Sequence, residues 1–317
     1  MRFPFRLPVG KQFDAVGFGL NAVDHLIVVP EYPVFDTKMR FLEHRQTAGG
    51  QSATTMVTLQ RLGFKTAYAG RFGSDVEGEF GLASVRDEGV DVEFVEVIEG
   101  ARTQLAFIII EQRSGERTII WDRDERLAYK PDDAPIALAT IGRVLHLDAH
   151  DPPACARMAR AARDSGTIVS ADIDNIYEGL LELLPLIDIL IVSKEFPHRL
   201  SGISDERASL VELKARYGCA VVGMTRGLRG AIVYCEGQFI ESPAFEVPGG
   251  CRDTTGAGDA FRGGFLYGLL KDEDIESSLG LANAVAALKC RDLGARTKLP
   301  TQGELSKFFT RKDATGL

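Results

Sequence analysis

Short apolar runs alternate with longer stretches of helical periodicity along most of this chain, and few folds accommodate that rhythm. Phe13–Gly19 reads as a buried strand closed by a glycine turn, and Leu26–Val29 as a second strand-like segment. The stretch from Gln51 to Leu62-Gly63 reads as a helix, Thr66–Gly70 as a strand, and Glu77–Glu88 as a helix with Gly89 past its end. The rhythm resumes with Val144–Leu147, the helix-like Ala154–Ser165, then Thr167–Ala171 and Ile187–Val192. A helix near Arg207–Tyr217, the strand Ala220–Thr225, a hairpin at Ala231–Ile240 and helices at about Gly258–Leu270 and Ile275–Lys289 complete it. Such alternation predicts an α/β fold, a doubly wound and mostly parallel sheet flanked by helices.

Residues 92–121 break the pattern. Val92–Ile98, Leu105–Glu111 and Arg117–Trp121 are strand-like with no helix between them, so an antiparallel insert is expected. No linker or repeat divides the chain, which predicts one domain over 1–317, with a small β lid from about 24–47 and 94–122 inserted in the α/β core. In doubly wound sheets the ligand sits beyond the C-terminal strand ends, where such a lid would cover it.

The 317 residues are 45% hydrophobic, enough for a sizeable core, and the net charge of −8 lacks the basic footprint of a nucleic-acid or membrane-surface protein. No apolar run approaches the roughly 18 to 20 residues of a membrane span. Met1–Pro8 has no signal-peptide core, so a cytoplasmic protein is expected. Cys155, Cys219, Cys235, Cys251 and Cys290 are scattered and form no CxxC pair, which points to reduced thiols.

The chemistry concentrates in Asp253-Thr254-Thr255-Gly256-Ala257-Gly258-Asp259, followed by Ala260-Phe261-Arg262-Gly263-Gly264-Phe265. Gly256, Ala257 and Gly258 present backbone N–H groups with little side chain in the way, at the start of a helix, where such amides bind phosphate. Asp259 would repel that phosphate, so its presence points to a task, the acceptance of a proton from an attacking hydroxyl. The plainer reading of Asp259 is a dipole partner in a helix's first turn.

This heptad and its continuation resemble the C-terminal signature of the ribokinase-like, or PfkB, family of carbohydrate and nucleoside kinases. The resemblance implies a ribokinase-like fold, Asp259 as catalytic base, and the Gly256, Ala257 and Gly258 amides as anion hole. Thr225-Arg226-Gly227-Leu228-Arg229-Gly230 resembles the family's T-x-G-x-x-G turn and implies nucleotide contacts from Thr225, Gly227 and Gly230; by itself it would be a tight turn. Gly49-Gly50-Gln51-Ser52-Ala53-Thr54 resembles the N-terminal signature, in which a glycine pair lets sugar lie against backbone, with Thr54 where the family usually has Asn. Gly19–Asp24 resembles the first substrate segment, implying sugar contacts from Asn21 and Asp24; the bland use of such an Asp is a turn.

Ser193-Lys194-Glu195 stands where many members carry Asn-x-x-Glu, and in that stretch the chain resembles the ketohexokinase-like sugar kinases. Ser193 and Lys194 are then nucleotide-side residues, with magnesium carried mostly by ATP and water. Asn283 matches a position near adenine, although a bond to a neighbouring loop would also explain a polar residue in an apolar helix. The loop Cys290–Gly294, with Asp253 and Thr255, resembles the monovalent-cation loop of potassium-activated relatives.

Arg262 lies one turn after Asp259, which allows a phosphate or acidic-substrate contact or a surface ion pair. Lys38, Arg40, Arg102 and Arg123 are similar basic candidates near the lid. His146, Asp148 and His150 alternate and are read as sharing a strand face toward the cleft. Together these features predict an enzyme, an ATP-dependent carbohydrate kinase using Mg2+ and potassium, with a sugar as partner and a homodimer formed through the lid. A nucleoside kinase, with Phe18, Phe107 or Trp121 around a base, an acidic-sugar kinase using Arg262, and a non-catalytic sugar sensor are the alternatives.

Overall fold

A computed structural model describes residues 1–315, with side chains through Thr310. The single domain expected over 1–317 takes in Gly316 and Leu317, which lie outside the described residues. The chain forms β1 (Phe13–Phe18), leaves the core for β2 (Ala22–Val29) and β3 (Glu43–Gly49), and returns through α1 (Gln51–Arg61) to β4 (Thr66–Ala69). It continues through β5 (Arg71–Gly73), α2 (Val76–Arg86), β6 (Glu96–Ile98), β7 (Leu105–Glu111) and β8 (Arg117–Asp122). Regular alternation follows: α3 (Ile136–Ile141), β9 (Gly142–Leu147), α4 (Pro152–Asp164), β10 (Ile168–Ala171), α5 (Leu180–Leu183), β11 (Ile189–Ser193), α6 (Glu195–Ser201), α7 (Glu206–Tyr217) and β12 (Val221–Thr225). The hairpin β13 (Ala231–Cys235) and β14 (Gln238–Ser242) precedes α8 (Ala257–Leu270), α9 (Ile275–Lys289) and α10 (Gln302–Thr315).

The main sheet has eight strands in the order β14-β13-β12-β11-β10-β9-β1-β4, parallel from β12 to β4 with the hairpin added antiparallel at one edge. Its strands are apolar on both faces because helices cover both. Leu145, Leu147, Val222 and Met224 pack into the cluster with α4 and α7, whereas Val144 and Val221 face the cluster containing α1, α8 and α9. A Cβ on Gly263, Gly264 or Gly268 would lie 2.6–2.7 Å from Thr58, 2.8 Å from Ala282 Cα, or 2.4–2.7 Å from Ser278, respectively. These residues let α8 press against α1 and α9, which offsets the helix propensity that each glycine gives up. Among the described residues no helix is long and apolar enough to cross a membrane.

The second sheet has the order β3-β2-β7-β8 and draws on both segments expected to form the lid. It is not wholly antiparallel, since β2 and β7 pair parallel. The strand expected over 92–98 also differs: only Glu96–Ile98 is regular, and it pairs with β5 in a separate ribbon. Val92 and Val95 pack onto the main core, which holds the segment away from the second sheet.

Candidate active site

β1 and β9 are neighbours whose onward connections run to opposite sides of the sheet, so a crevice opens between their C-terminal ends. Gly19 follows β1 and Asp148 follows β9; a Cβ on Gly19 would lie 2.1 Å from Asp148 Oδ2. That carboxylate accepts from Leu20 N at 2.5 Å and Ser52 N at 3.4 Å, and burial pushes its pKa up to about 7. Asp148 therefore clamps the loop that carries Asn21. The expected shared face of His146, Asp148 and His150 is corrected here, because β9 ends at Leu147. His146 is fully buried against Ser170, with burial lowering its pKa to about 3, while His150 lies against the ring of Tyr177.

Asp24 stands in a row across the second sheet, where Thr47, Asp24, Ala106 and Trp121 are successive cross-strand neighbours. Strand alternation puts Asp24 on the face shared with the buried Leu26 and Val28, toward the core. Burial raises its pKa to about 7, Arg296 draws it down, and Asp259 and Asp253 add to the rise. At the end of the row Trp121 stays half-exposed and meets His150 edge-on. Phe107 and Ile120 pair on the opposite, outer face, and Phe18 is buried against Tyr129, so of the three aromatic candidates only Trp121 faces the cleft.

The Cβ positions of Gly49 and Gly50 are taken up by protein, while the Gly50 backbone keeps partial exposure. A Cβ on Gly49 would lie 2.2 Å from Asp24 Oδ2, and one on Gly50 2.4 Å from Asn21 Cα. The pair brings Asp24 and the loop of Asn21 against the start of α1. Asn21 Nδ2 donates to Arg71 O at 2.9 Å, whereas its Oδ1 is buried without a partner. Thr54 is buried, and its Oγ1 accepts from Arg296 Nε at 3.3 Å. The hydroxyl expected to meet substrate instead helps to hold Arg296, which also donates to Gly49 O and to Ser84 Oγ.

The turn before α8 is the other wall. Gly256 caps the helix with φ 74°, and a Cβ there would also lie 2.7 Å from Ala295 Cα. Ala257 N–H donates to Thr254 O at 3.1 Å, which corrects the expectation of three unbroken free amides. Gly256, Gly258 and Asp259 N–H have no backbone acceptor among the described residues and form the free set. Asp259 occupies the helix's first turn and keeps partial exposure to the cleft. Desolvation raises its pKa, and Arg262 and Arg117 oppose that rise.

Arg262 turns inward. Its Nη2 lies 2.6 Å from Asp172 Oδ1 and its Nε donates to Ile191 O at 2.9 Å, both partners being buried. A Cβ on Gly258 would lie 2.7 Å from Arg262 Nη1, so the guanidinium sits beneath the turn. The expected substrate contact and the expected surface ion pair are both replaced by a buried bridge, because Asp172 at the end of β10 offers a stronger partner than water. Asp253 is also buried, bonded by Thr255 N at 2.7 Å and Gly294 N at 2.8 Å.

On the far side, Ser193 and Thr225 are paired at the ends of β11 and β12. Lys194 is exposed and lies 3.6 Å from Glu195. Gly227 and Gly230 both take positive φ, and Gly230 leaves room for Ser242 O, which a Cβ would approach to 2.0 Å. Asn283 donates through Nδ2 to Ser242 O at 3.2 Å and Oγ at 3.0 Å, so a bond to the end of β14 accounts for its burial.

A model of the pfkB family of carbohydrate kinases matches residues 14–302. The chain belongs to that family. It is 28% identical over 302 residues to a nucleoside kinase of Methanothermobacter thermautotrophicus, covering 94% of this chain and 96% of that one. Fructokinase-1 of Zea mays is 30% identical over 289 residues, with 83% and 88% covered. The structure of Arabidopsis thaliana ribokinase complexed with ribose and ATP superposes with a TM-score of 0.80 over 93% of this chain and 98% of that one, at 22% identity. The kinase is thus an ATP-dependent phosphotransferase of the sugar and nucleoside class, on a ribokinase-like fold.

Four charged residues of the kinase escaped sequence reasoning. Arg117, at the edge of the second sheet, donates to Thr254 Oγ1 at 2.8 Å and acts electrostatically on both Asp24 and Asp259. Arg296, Asp172 and Lys289 are buried beside the site. Each is paired with a residue remote in sequence, and no local motif marks them.

Proposed function

We propose that this kinase transfers the terminal phosphoryl group of ATP to a hydroxyl of a sugar, with Asp259 as general base. The observation that carries the reading is the placing of Asp259 and the free amides of Gly256 and Gly258 on one helix terminus. The carboxylate takes the proton of the acceptor hydroxyl, while the amides face the charge growing on the transferred group. Asp24 accepts hydrogen bonds from other hydroxyls of the acceptor, and Trp121 supplies an apolar wall for its ring. Magnesium, which gives up its water reluctantly, arrives on ATP. Magnesium would neutralise phosphate charge. Ser193, Thr225 and the Gly227–Gly230 turn line the nucleotide side.

The test is an ADP-release screen over ketoses, aldoses, sugar acids and nucleosides. Release with a sugar is the expected result. A protein that binds sugars but phosphorylates nothing in the panel would be a sensor, contrary to the proposal. The aromatic group of Trp121, His150 and Tyr177 favours one second reading, a nucleoside acceptor with its base on these rings. The inward Arg262 gives no support to an acidic-sugar site.

Arg117→Ala is expected to lower kcat/KM for ATP by about tenfold or more, the scale of one charge-assisted hydrogen bond, with little change in Tm. Steady-state kinetics beside a thermal melt check it; unchanged kinetics would place Arg117 outside the phosphate path.

The outer face of the second sheet exposes Phe107 at 47% and Ile120 at 58%, an apolar patch suited to pairing with a second copy. Light scattering on the eluted protein should give a dimer, and Ile120→Asp should give a monomer.

A further inference from the structure

Lys289, the last residue of α9, is a fully buried lysine. Its Nζ donates to Asp253 O at 3.0 Å and lies 3.7 Å from Asp253 Oδ2, and that aspartate is itself fully buried. The same Asp253 carboxylate accepts from Thr255 N and from Gly294 N, so it fastens the 253–255 turn to the 290–294 loop. Arg252 N adds a bond to Cys290 O at 2.9 Å across the same seam. A buried lysine persists only where its charge is paired and hydrogen-bonded. Desolvation lowers its pKa, and the Asp253 carboxylate opposes that.

The family resemblance calls for a monovalent cation on Asp253 and Thr255. This structure offers something else: one positive charge, covalently held, already on the carbonyl and near the carboxylate of Asp253. A second monovalent cation on the same oxygens would meet the ammonium at close range in a dry site, where like charges repel strongly. The oxygens of Asp253 therefore do not fit a bound potassium ion. The seam also matters to the anion turn, because Ala295 packs directly against Gly256.

We propose that the Lys289 ammonium is the resident cation of this loop pair, and that the kinase needs no potassium. The charge is built in during folding and fixes the turn that carries the free amides. The proposal rests on the kinase reading only for its activity arm.

The test compares the protein in potassium chloride and in choline chloride at equal ionic strength, by thermal melting and by ADP release with an active acceptor. Wild type is expected to show the same Tm and the same turnover in both salts. A potassium-dependent rise in either would overturn the proposal. Lys289→Met, which keeps the length of the side chain without the charge, should lose about tenfold or more in turnover in choline, the scale of one charge-assisted hydrogen bond, and should melt lower. Wild-type Tm and turnover in that variant would also overturn it. Should the variant fail to fold, the wild-type salt series decides. Melting needs no acceptor, so an absence of kinase activity would leave that arm intact and would count against the kinase reading alone.

Discussion

An Asp259→Asn protein is expected to fold, bind ATP and turn over about 10²- to 10⁴-fold more slowly, the usual contribution of a general base. The amide has the shape of the carboxylate but cannot take a proton at neutral pH. Its neutrality should not lower stability, because desolvation already raises the pKa of Asp259 and so works against its charge. Titration calorimetry with ATP and a thermal melt separate loss of chemistry from loss of fold. The pH profile of the wild type carries the same information. Asp259 works as a base only when ionised, so kcat should fall as pH falls through a pKa above the ordinary carboxylate range. Near-normal turnover in the variant, or an acid limb in the ordinary range, would remove Asp259 from the role.

Arg262→Met is expected to cost about 3–5 kcal/mol of stability at pH 8, the range seen when one partner of a buried pair is removed. The guanidinium stands beside two carboxyls, those of Asp172 and Asp259, and its loss leaves them facing each other. Burial raises the pKa of both, and without the cation both would rise further. A raised folded-state pKa for an acid means that stability is retained at low pH and lost as pH rises through that value. The deficit should therefore shrink toward pH 5. Adding Asp172→Asn to the variant should recover much of the loss, since the facing charge is gone. Urea denaturation at the two pH values measures all of this. A loss below about 1 kcal/mol at pH 8 would mean that the bridge is not the side chain's main role and would return Arg262 to the substrate candidates.

How much of this was legible in the sequence depended on how local each signal was. The glycine turn at Gly256 and the helix that starts there could be read because both are made by residues within one helix turn. The parallel sheet could be read because each of its strands is a short apolar run beside a periodic helix. Arg262, Arg296 and Lys289 could not be read in the same way. Arg262 meets Ile191 O and Arg296 meets Gly49 O, so their partners are set by the packing of α8 and of the last loop, and only the folded chain supplies them. The close approach of Asp24 to Gly49 was hidden for a related reason, since absent side chains make room equally well for a ligand and for a neighbouring side chain. The segment 92–98 looked like a lid strand because apolar alternation does not say which surface it will meet. α10 was not foreseen at all.

The division of the site between two sheets has an evolutionary consequence. The proposed base, Asp259, and the free amides sit on a helix wedged by glycines into the main core, where few changes are tolerated. Asp24, Ala106 and Trp121 sit on a four-stranded sheet whose own small cluster needs only Leu26, Val28, Ala106, Ile108, Ile110 and Leu293. With the row meeting the acceptor as proposed, exchanging its residues would change which hydroxyl compound is accepted while the phosphate chemistry stays as it is. One catalytic frame can thus be inherited unchanged by descendants that differ in diet.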